Sequence, residues 1–219
     1  MNQEVPKGEI LDIKVEANLS LIRDLFIQTV DFAELRNPHV ENLVSPDVRQ
    51  QAAESAVLIP IIDDVTPRLM VTKRQTNIRF AGHLCFPGGR SDPGDKSGIE
   101  TALRESAEEI NIAAQDVEIL GCLGHYYTQA GYKITPVVGI IQHPARVEAN
   151  PSEVDSIYEV DLAKVLDPGS YKLTWHGDVR AHFSYSERDI RIAGPTVSLM
   201  IGLLETLARF TNHHSRMMG

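Results

Sequence analysis

The chain has 219 residues, which at roughly 150 residues per domain suggests one domain spanning 1–219. With 42% apolar and 23% charged residues it carries enough apolar mass for a core, which excludes disordered and collagen-like classes. The net charge is −9, so the chain's field repels polyanions. Binding to nucleic acid or to an anionic membrane is not expected, and a phosphorylated substrate would need local cations or a metal.

The two cysteines, Cys85 and Cys122, sit in apolar surroundings and read as reduced core thiols, which suggests a cytoplasmic setting. The opening MNQEVPKGEI has neither the basic nor the apolar region of a signal peptide. No apolar run approaches ~18 residues, so no transmembrane helix is expected.

Residues 1–50 read as an N-terminal extension. Within it, 19–35 has helical spacing, with Leu21, Ile22, Leu25, Phe26, Thr29 and Ala33 on one stripe. Ala56–Ile62 is a short apolar run and predicts a buried strand. Asp63–Pro67 reads as a turn, and Arg68–Arg74 as the second arm of a hairpin. Val117–Gly124 and Tyr132–Gln142 are β-rich, and Pro136 inside the latter points to an edge or a bulge. Val154–Leu166 mixes strand with short helix. Three short strands then form a small antiparallel unit, and Pro195–Phe210 predicts a helix with Pro195 in its first turn. The order predicts an α+β fold, a sheet sandwiched by helices.

The chemistry concentrates in 86–112, FPGGRSDPGDKSGIETALRESAEEINI. Ile99, Ala102, Leu103, Ser106, Ala107 and Ile110 share one helical face. Ser97 and Glu100 predict a capping box at its start. The other face would carry Thr101, Arg104, Glu105, Glu108 and Glu109. Glu105, Glu108 and Glu109 stand at i, i+3 and i+4, so three like charges converge where Arg104 alone cannot balance them. A divalent cation can, and hard oxygen ligands suit Mg²⁺ or Mn²⁺. Pro87-Gly88-Gly89 allows a sharp turn and a close approach of backbone to a ligand, with N–H groups free to face phosphate oxygens.

Together these residues resemble the Nudix box, GX5EX7REUXEEXGU, where U is a bulky aliphatic. Arg104-Glu105-Ser106-Ala107-Glu108-Glu109 fills REUXEE with Ser106 in the aliphatic place. Ile112 fills the last U, Asn111 replaces the glycine, and Asp95 takes the first acidic position. The stretch Gly88–Asp95 with Thr101–Glu105 looks like the coenzyme A pyrophosphatase branch. Upstream, Thr72, Arg74, Arg79, Gly82 and Phe86–Gly89 match that branch's pattern. Gln75 departs from it, and the Arg79-to-Gly82 spacing is one residue short.

The resemblance implies an α/β/α Nudix sandwich and a pyrophosphohydrolase using Mg²⁺ or Mn²⁺. Glu105, Glu108, Glu109 and the Gly89 carbonyl would hold the metal, Glu108 doubling as a proton acceptor. Arg104 would orient a glutamate. Glu153 would be a further acid from a later loop. Lys73, Arg74, Arg79 and Arg90 would meet substrate phosphates. The implied substrate is a nucleoside diphosphate derivative: coenzyme A or an acyl derivative first, ADP-ribose or a nucleotide sugar second. A rival of another class is a catalytically silent Nudix domain that binds a nucleotide as a regulator. Whether the chain works as a monomer or a homodimer is left open.

Overall fold

The structure, a computed structural model, describes residues 5–28, 32–41, 44–76, 80–142 and 146–217. The strands are β1 (Ala53–Ile62), β2 (Arg68–Arg74), β3 (Leu84–Cys85), β4 (Gly88–Arg90), β5 (Val117–Cys122), β6 (Tyr126–Tyr127), β7 (Tyr132–Ile141), β8 (Val154–Asp161), β9 (Tyr171–His176), β10 (Arg180–Glu187) and β11 (Ile190–Ala193). The α-helices are α1 (Leu19–Gln28), α2 (Pro46–Gln50), α3 (Gly98–Ile110), α4 (Leu162–Val165) and α5 (Pro195–Met217).

The main sheet is mixed. Its backbone runs β3-β2-β1-β7-β5, with β4 on β1, β6 on β7 and β8 on β2. Strands β1 and β7 pair in parallel along their whole length, from Ala53↔Tyr132 to Ile62↔Ile141. Strands β1 and β2 form the expected hairpin but stay paired only at its closed end, at Ile61↔Leu69 and Ile62↔Arg68. Beyond that they splay. The segment carrying β3 and β4 fills the wedge, β3 against Thr72 and Lys73 and β4 against Ser55, Ala56 and Val57. This wedge holds Gly88 and Gly89 over the open end of the hairpin.

Strand side chains alternate between faces, and both faces of β1 are covered. Ala56, Leu58 and Ile62 pack with Met70, Val137 and Ile141 under Ala102 and Ile110 of α3. Ile59 and Ile61 join Leu69, Val71, Val138 and Ile140 in a larger core on the other side. That core takes in Ile22 and Leu25 of α1, Val165 of α4, and Met200, Leu203, Leu204 and Leu207 of α5. The sheet β11-β10-β9 adds Tyr185, Phe183 and Ile192 to it. The expected α/β/α sandwich is therefore present, as is the small antiparallel unit.

Three local expectations need correction. The helix predicted over 19–35 ends at Gln28 among the described residues, and 32–38 is not helical. There the chain runs beside β5's exit, where the Leu35 N–H donates to the His125 carbonyl at 3.0 Å and the Phe32 ring meets Phe26 at 5.1 Å. Pro136 is not at an edge: it lies in β7, between β1 and β5. Its carbonyl accepts from Leu123 N–H at 2.9 Å, just past the end of β5. A strand residue's N and O point the same way, so the missing donor falls in the gap between β5 and β6 and costs no ladder bond. On α3, Ala107 is exposed, whereas Thr101 and Glu109 are buried. The buried face is turned toward the wedge, so the helix packs on polar partners as well as apolar ones.

Candidate functional site

Helix α3 begins where predicted. Ser97 accepts from the Glu100 N–H at 3.3 Å, while the Glu100 carboxylate accepts from Lys96 N–H rather than from Ser97. The helix ends at Asn111, whose φ of 53° is left-handed and whose N–H donates to the Ala107 carbonyl. Asparagine tolerates that conformation better than most residues, which explains its place where the box has glycine. Ser106 is fully buried and donates to the Ala102 carbonyl at 2.6 Å, so its hydroxyl is satisfied inside the helix where the box has an aliphatic.

The three glutamates do not converge on one point. Glu109 is buried, and its carboxylate accepts from the Gly88 N–H at 3.2 Å. Glu105 is half-buried against Gly89, where an added side chain would overlap its carboxylate and push it aside. Glu108 is exposed and lies 3.4 Å from Arg104. At 100° per residue, Glu105 and Glu109 share a face while Glu108 sits on its flank. Among the described residues no three His, Cys, Asp or Glu side chains are grouped closely enough to hold a metal ion as they stand.

Cations balance this face from two sides. Arg104 donates to Asp95 through Nε at 3.2 Å and Nη2 at 3.0 Å, and to Glu105 through Nη1 at 2.9 Å. Its remaining reach goes to the Arg90 carbonyl at 3.0 Å. Arg74, expected to meet substrate, lies 3.4 Å from Glu109. Asp95 also accepts from the Thr101 hydroxyl and the Asp92 N–H, both at 2.9 Å. The Arg104 guanidinium and these donors hold its carboxyl far below the usual carboxylate range. Asp95 thus clasps Arg104, a role the box spacing alone did not reveal.

Burial raises Glu105, with the charges of Glu108 and Glu153 adding to it and Arg104 opposing. Burial also pushes Glu109 up to about 7, with Glu105 and Glu153 adding and Arg74 and the Gly88 N–H opposing. Glu153 therefore lies close enough to act on both. It is brought there by the loop before β8, which caps α3. Asn150 N–H donates to the Glu109 carbonyl at 2.8 Å and its Nδ2 to the Glu108 carbonyl at 2.9 Å. Gln75 N–H then ties the Glu153 carbonyl to the end of β2 at 2.9 Å.

The remaining candidates are dispersed. Lys73 alternates with Arg74 along β2, so it faces the other side, where it pairs with Asp155 at 3.0 Å. Arg90 is exposed and borders an open depression with Gln51 and Tyr132. Arg79 lies outside the described residues.

The donor set fits a divalent cation. Glu109 is buried against the Gly88 N–H and Glu105 half-buried against Gly89, where a Cβ would take its place, and neighbouring carboxylates destabilise their charge. Hard oxygen donors of this kind match Mg²⁺ or Mn²⁺.

An acid-bearing helix laid against a glycine strand in the wedge of a splayed sheet defines the fold class as the Nudix sandwich. Residues 53–178, more than half of the chain, match the NUDIX domain family, and the chain belongs to that family. It is 46% identical over 118 residues to the uncharacterized Nudix hydrolase NudL of Photorhabdus laumondii, a match covering 53% of this chain and 63% of that one. To NudL of Yersinia pestis it is 38% identical over 141 residues, covering 63% and 71%. The chain thus spans less than two thirds of the Photorhabdus relative. Among solved structures, a MutT/nudix family protein from Enterococcus faecalis aligns at 14% identity over 90% of this chain and 70% of its own, with a TM-score of 0.45. A C. elegans Ap4A hydrolase aligns at 20% identity over 49% and 80%, with a TM-score of 0.44. No helix among the described residues is long and apolar enough to cross a membrane.

Proposed function

We propose that the chain hydrolyses the diphosphate linkage of a nucleoside diphosphate derivative, with Mg²⁺ or Mn²⁺ held by Glu105, Glu109, Glu153 and the Gly89 carbonyl. Bound there, the cation supplies charge neutralisation for the phosphates and an acidified water. Arg104, clasped by Asp95, fixes the Glu105 carboxylate. Arg74 and the Gly88 N–H fix that of Glu109. Glu108, exposed on the flank, would serve as a further ligand or proton acceptor. Arg90 and Arg79 would, by resemblance, meet substrate phosphates. The observation that supports this most is the pair of carboxylates, Glu109 buried and Glu105 half-buried, held on Gly88 and Gly89.

Coenzyme A or an acyl derivative is the leading substrate, on the strength of Phe86–Gly89, Asp92–Asp95 and Thr101–Glu105. ADP-ribose or a nucleotide sugar is the second. Comparing kcat/KM for coenzyme A, dephospho-coenzyme A, ADP-ribose and NADH with Mn²⁺ tests the reading. Preference for coenzyme A over its dephospho form supports the first substrate, and equal rates on the two favour the second. No phosphate release from any diphosphate leaves the silent regulator as the better account.

A further inference from the structure

Helix α3 ends at Ile110, and the last carbonyls of a helix have no partner within it. A later segment takes three of them. The Glu148 N–H donates to the Ile110 carbonyl at 3.0 Å, the Asn150 N–H to that of Glu109 at 2.8 Å, and Asn150 Nδ2 to that of Glu108 at 2.9 Å. Asn111 Nδ2 adds a bond to the Glu148 carbonyl at 2.9 Å. The segment is thus seated on the backbone of the acid helix itself.

Asn150 also starts the turn that follows. Its Oδ1 accepts from the Ser152 N–H at 3.2 Å and from the Ser152 hydroxyl at 2.7 Å. Its carbonyl accepts from the N–H groups of Glu153 at 3.1 Å and Val154 at 2.8 Å. This is the way an asparagine caps a helical turn, with Pro151 in the first position, where a missing N–H costs nothing. One side chain therefore grips α3 with its nitrogen and the turn bearing Glu153 with its oxygen.

Gln75 holds the same turn from the other side. It is a residue at which the sequence departs from the pattern its upstream stretch resembles. Its N–H donates to the Glu153 carbonyl at 2.9 Å and its Nε2 to the Pro151 carbonyl at 3.0 Å. Gln75 follows Arg74, whose guanidinium lies on Glu109. Glu153 is therefore tied to α3 through Asn150 and to the end of β2 through Gln75, and its charge acts on both Glu105 and Glu109.

We infer that Asn150 and Gln75 are positioning residues that hold Glu153 at the Glu105–Glu109 pair as the third acid of the cation site. The inference rests on the metal-dependent reading of that site, but its test needs no substrate. Each of the two residues acts through Glu153, so its loss is read in cation affinity.

The experiment is a titration with Mn²⁺, free ion being counted by electron spin resonance, on wild type and five variants. These are Asn150→Ala, Gln75→Ala, Glu153→Gln, the double variant Asn150→Ala/Glu153→Gln, and Asn111→Gly. Thermal midpoints in chelator are taken alongside. Asn150→Ala is expected to weaken Mn²⁺ about tenfold, as loss of a group that orients a metal ligand does, and Gln75→Ala by less but in the same direction. The double variant is expected to bind like Glu153→Gln alone, because two changes that act through one group do not add. Asn111→Gly keeps the left-handed backbone and cuts only the bond to Glu148, so its affinity is expected to match wild type. Wild-type affinity in either single variant overturns the role of that residue, whatever its thermal midpoint. A further loss in the double variant, or an equal loss in Asn111→Gly, overturns the action through Glu153 and leaves the cation site standing. Full Mn²⁺ affinity in Glu109→Gln would instead remove the cation site, and the inference with it.

Discussion

Asp95 and Arg104 meet as a fork, carboxylate against Nε and Nη2, and this contact ties the first acid of the box to the acid helix. The same guanidinium reaches Glu105 through Nη1. Asp95 therefore acts on Glu105 from a distance. Asp95→Asn is expected to lower kcat about 10–100-fold, the usual cost of losing a group that orients a metal ligand, with KM little changed. Arg104→Lys, which cannot fork, should resemble it. Steady-state kinetics with unchanged circular dichroism checks both, and full activity in Asp95→Asn would refute the clasp.

Glu109 gives the stability a pH dependence of defined sign. Its folded pKa of about 7 lies above the ordinary 4.5, so between those values the native state holds a proton that the unfolded chain has lost. Without metal, stability contributed by Glu109 is full below about pH 4.5, falls as pH rises, and is gone above about pH 7, a change on the order of 3 kcal/mol. Glu109→Gln stays neutral and keeps acceptors for Arg74 and Gly88, so it removes that slope and is the more stable protein at pH 8 in chelator. Urea unfolding of both proteins across pH 5–8 measures it. An identical slope in the two would show that Glu109 titrates normally.

Removing metal separates the same two proteins in another way. A cation that binds only the folded state stabilises it by mass action. Mn²⁺ should raise the thermal midpoint of chelated wild type and leave that of Glu109→Gln nearly unchanged. An equal rise in both would place the cation elsewhere.

Gly89→Ala tests the cradle. The added methyl occupies the space of the Glu105 carboxylate and forces it aside. A shift of about 1 Å in such a group costs about a hundredfold in kcat, whereas stability is expected to change little, because the displaced atoms are the far end of a flexible side chain. Kinetics and denaturant titration report the two effects separately. Ser106→Ala, also buried on α3, should by contrast stay within about 1 kcal/mol and keep its activity, because only an intrahelical hydroxyl bond is lost.

Much of the sandwich was legible because its elements are strongly periodic. Ala56–Ile62, Arg68–Arg74 and Pro195–Phe210 each carry a run or stripe that fits one kind of element, and all three lie within observed ones. The identity of the acid helix was legible too, since Ser97 and the Glu spacing are local features. The wedge was not. Nothing in Arg68–Arg74 tells that β2 parts from β1 after two residue pairs, because splaying is decided by what is inserted between the strands. For the same reason the contact of Arg74 with Glu109 was not legible: the two lie thirty-five positions apart. Helical spacing over 19–35 was equally misleading near its end, where packing on Phe26 and His125 overrides propensity.

The larger core has a practical consequence for anyone cutting the chain. The family match stops at 178, yet α5 and the N-terminal residues Val15, Ile22, Leu25 and Leu35 roof one whole face of the sheet. An excised 53–178 fragment would leave Ile59, Ile61, Leu69, Val71, Val138 and Ile140 bare to solvent, a greasy surface prone to self-association. Transplanting or trimming the segment that matches the family thus requires its two flanks to travel with it.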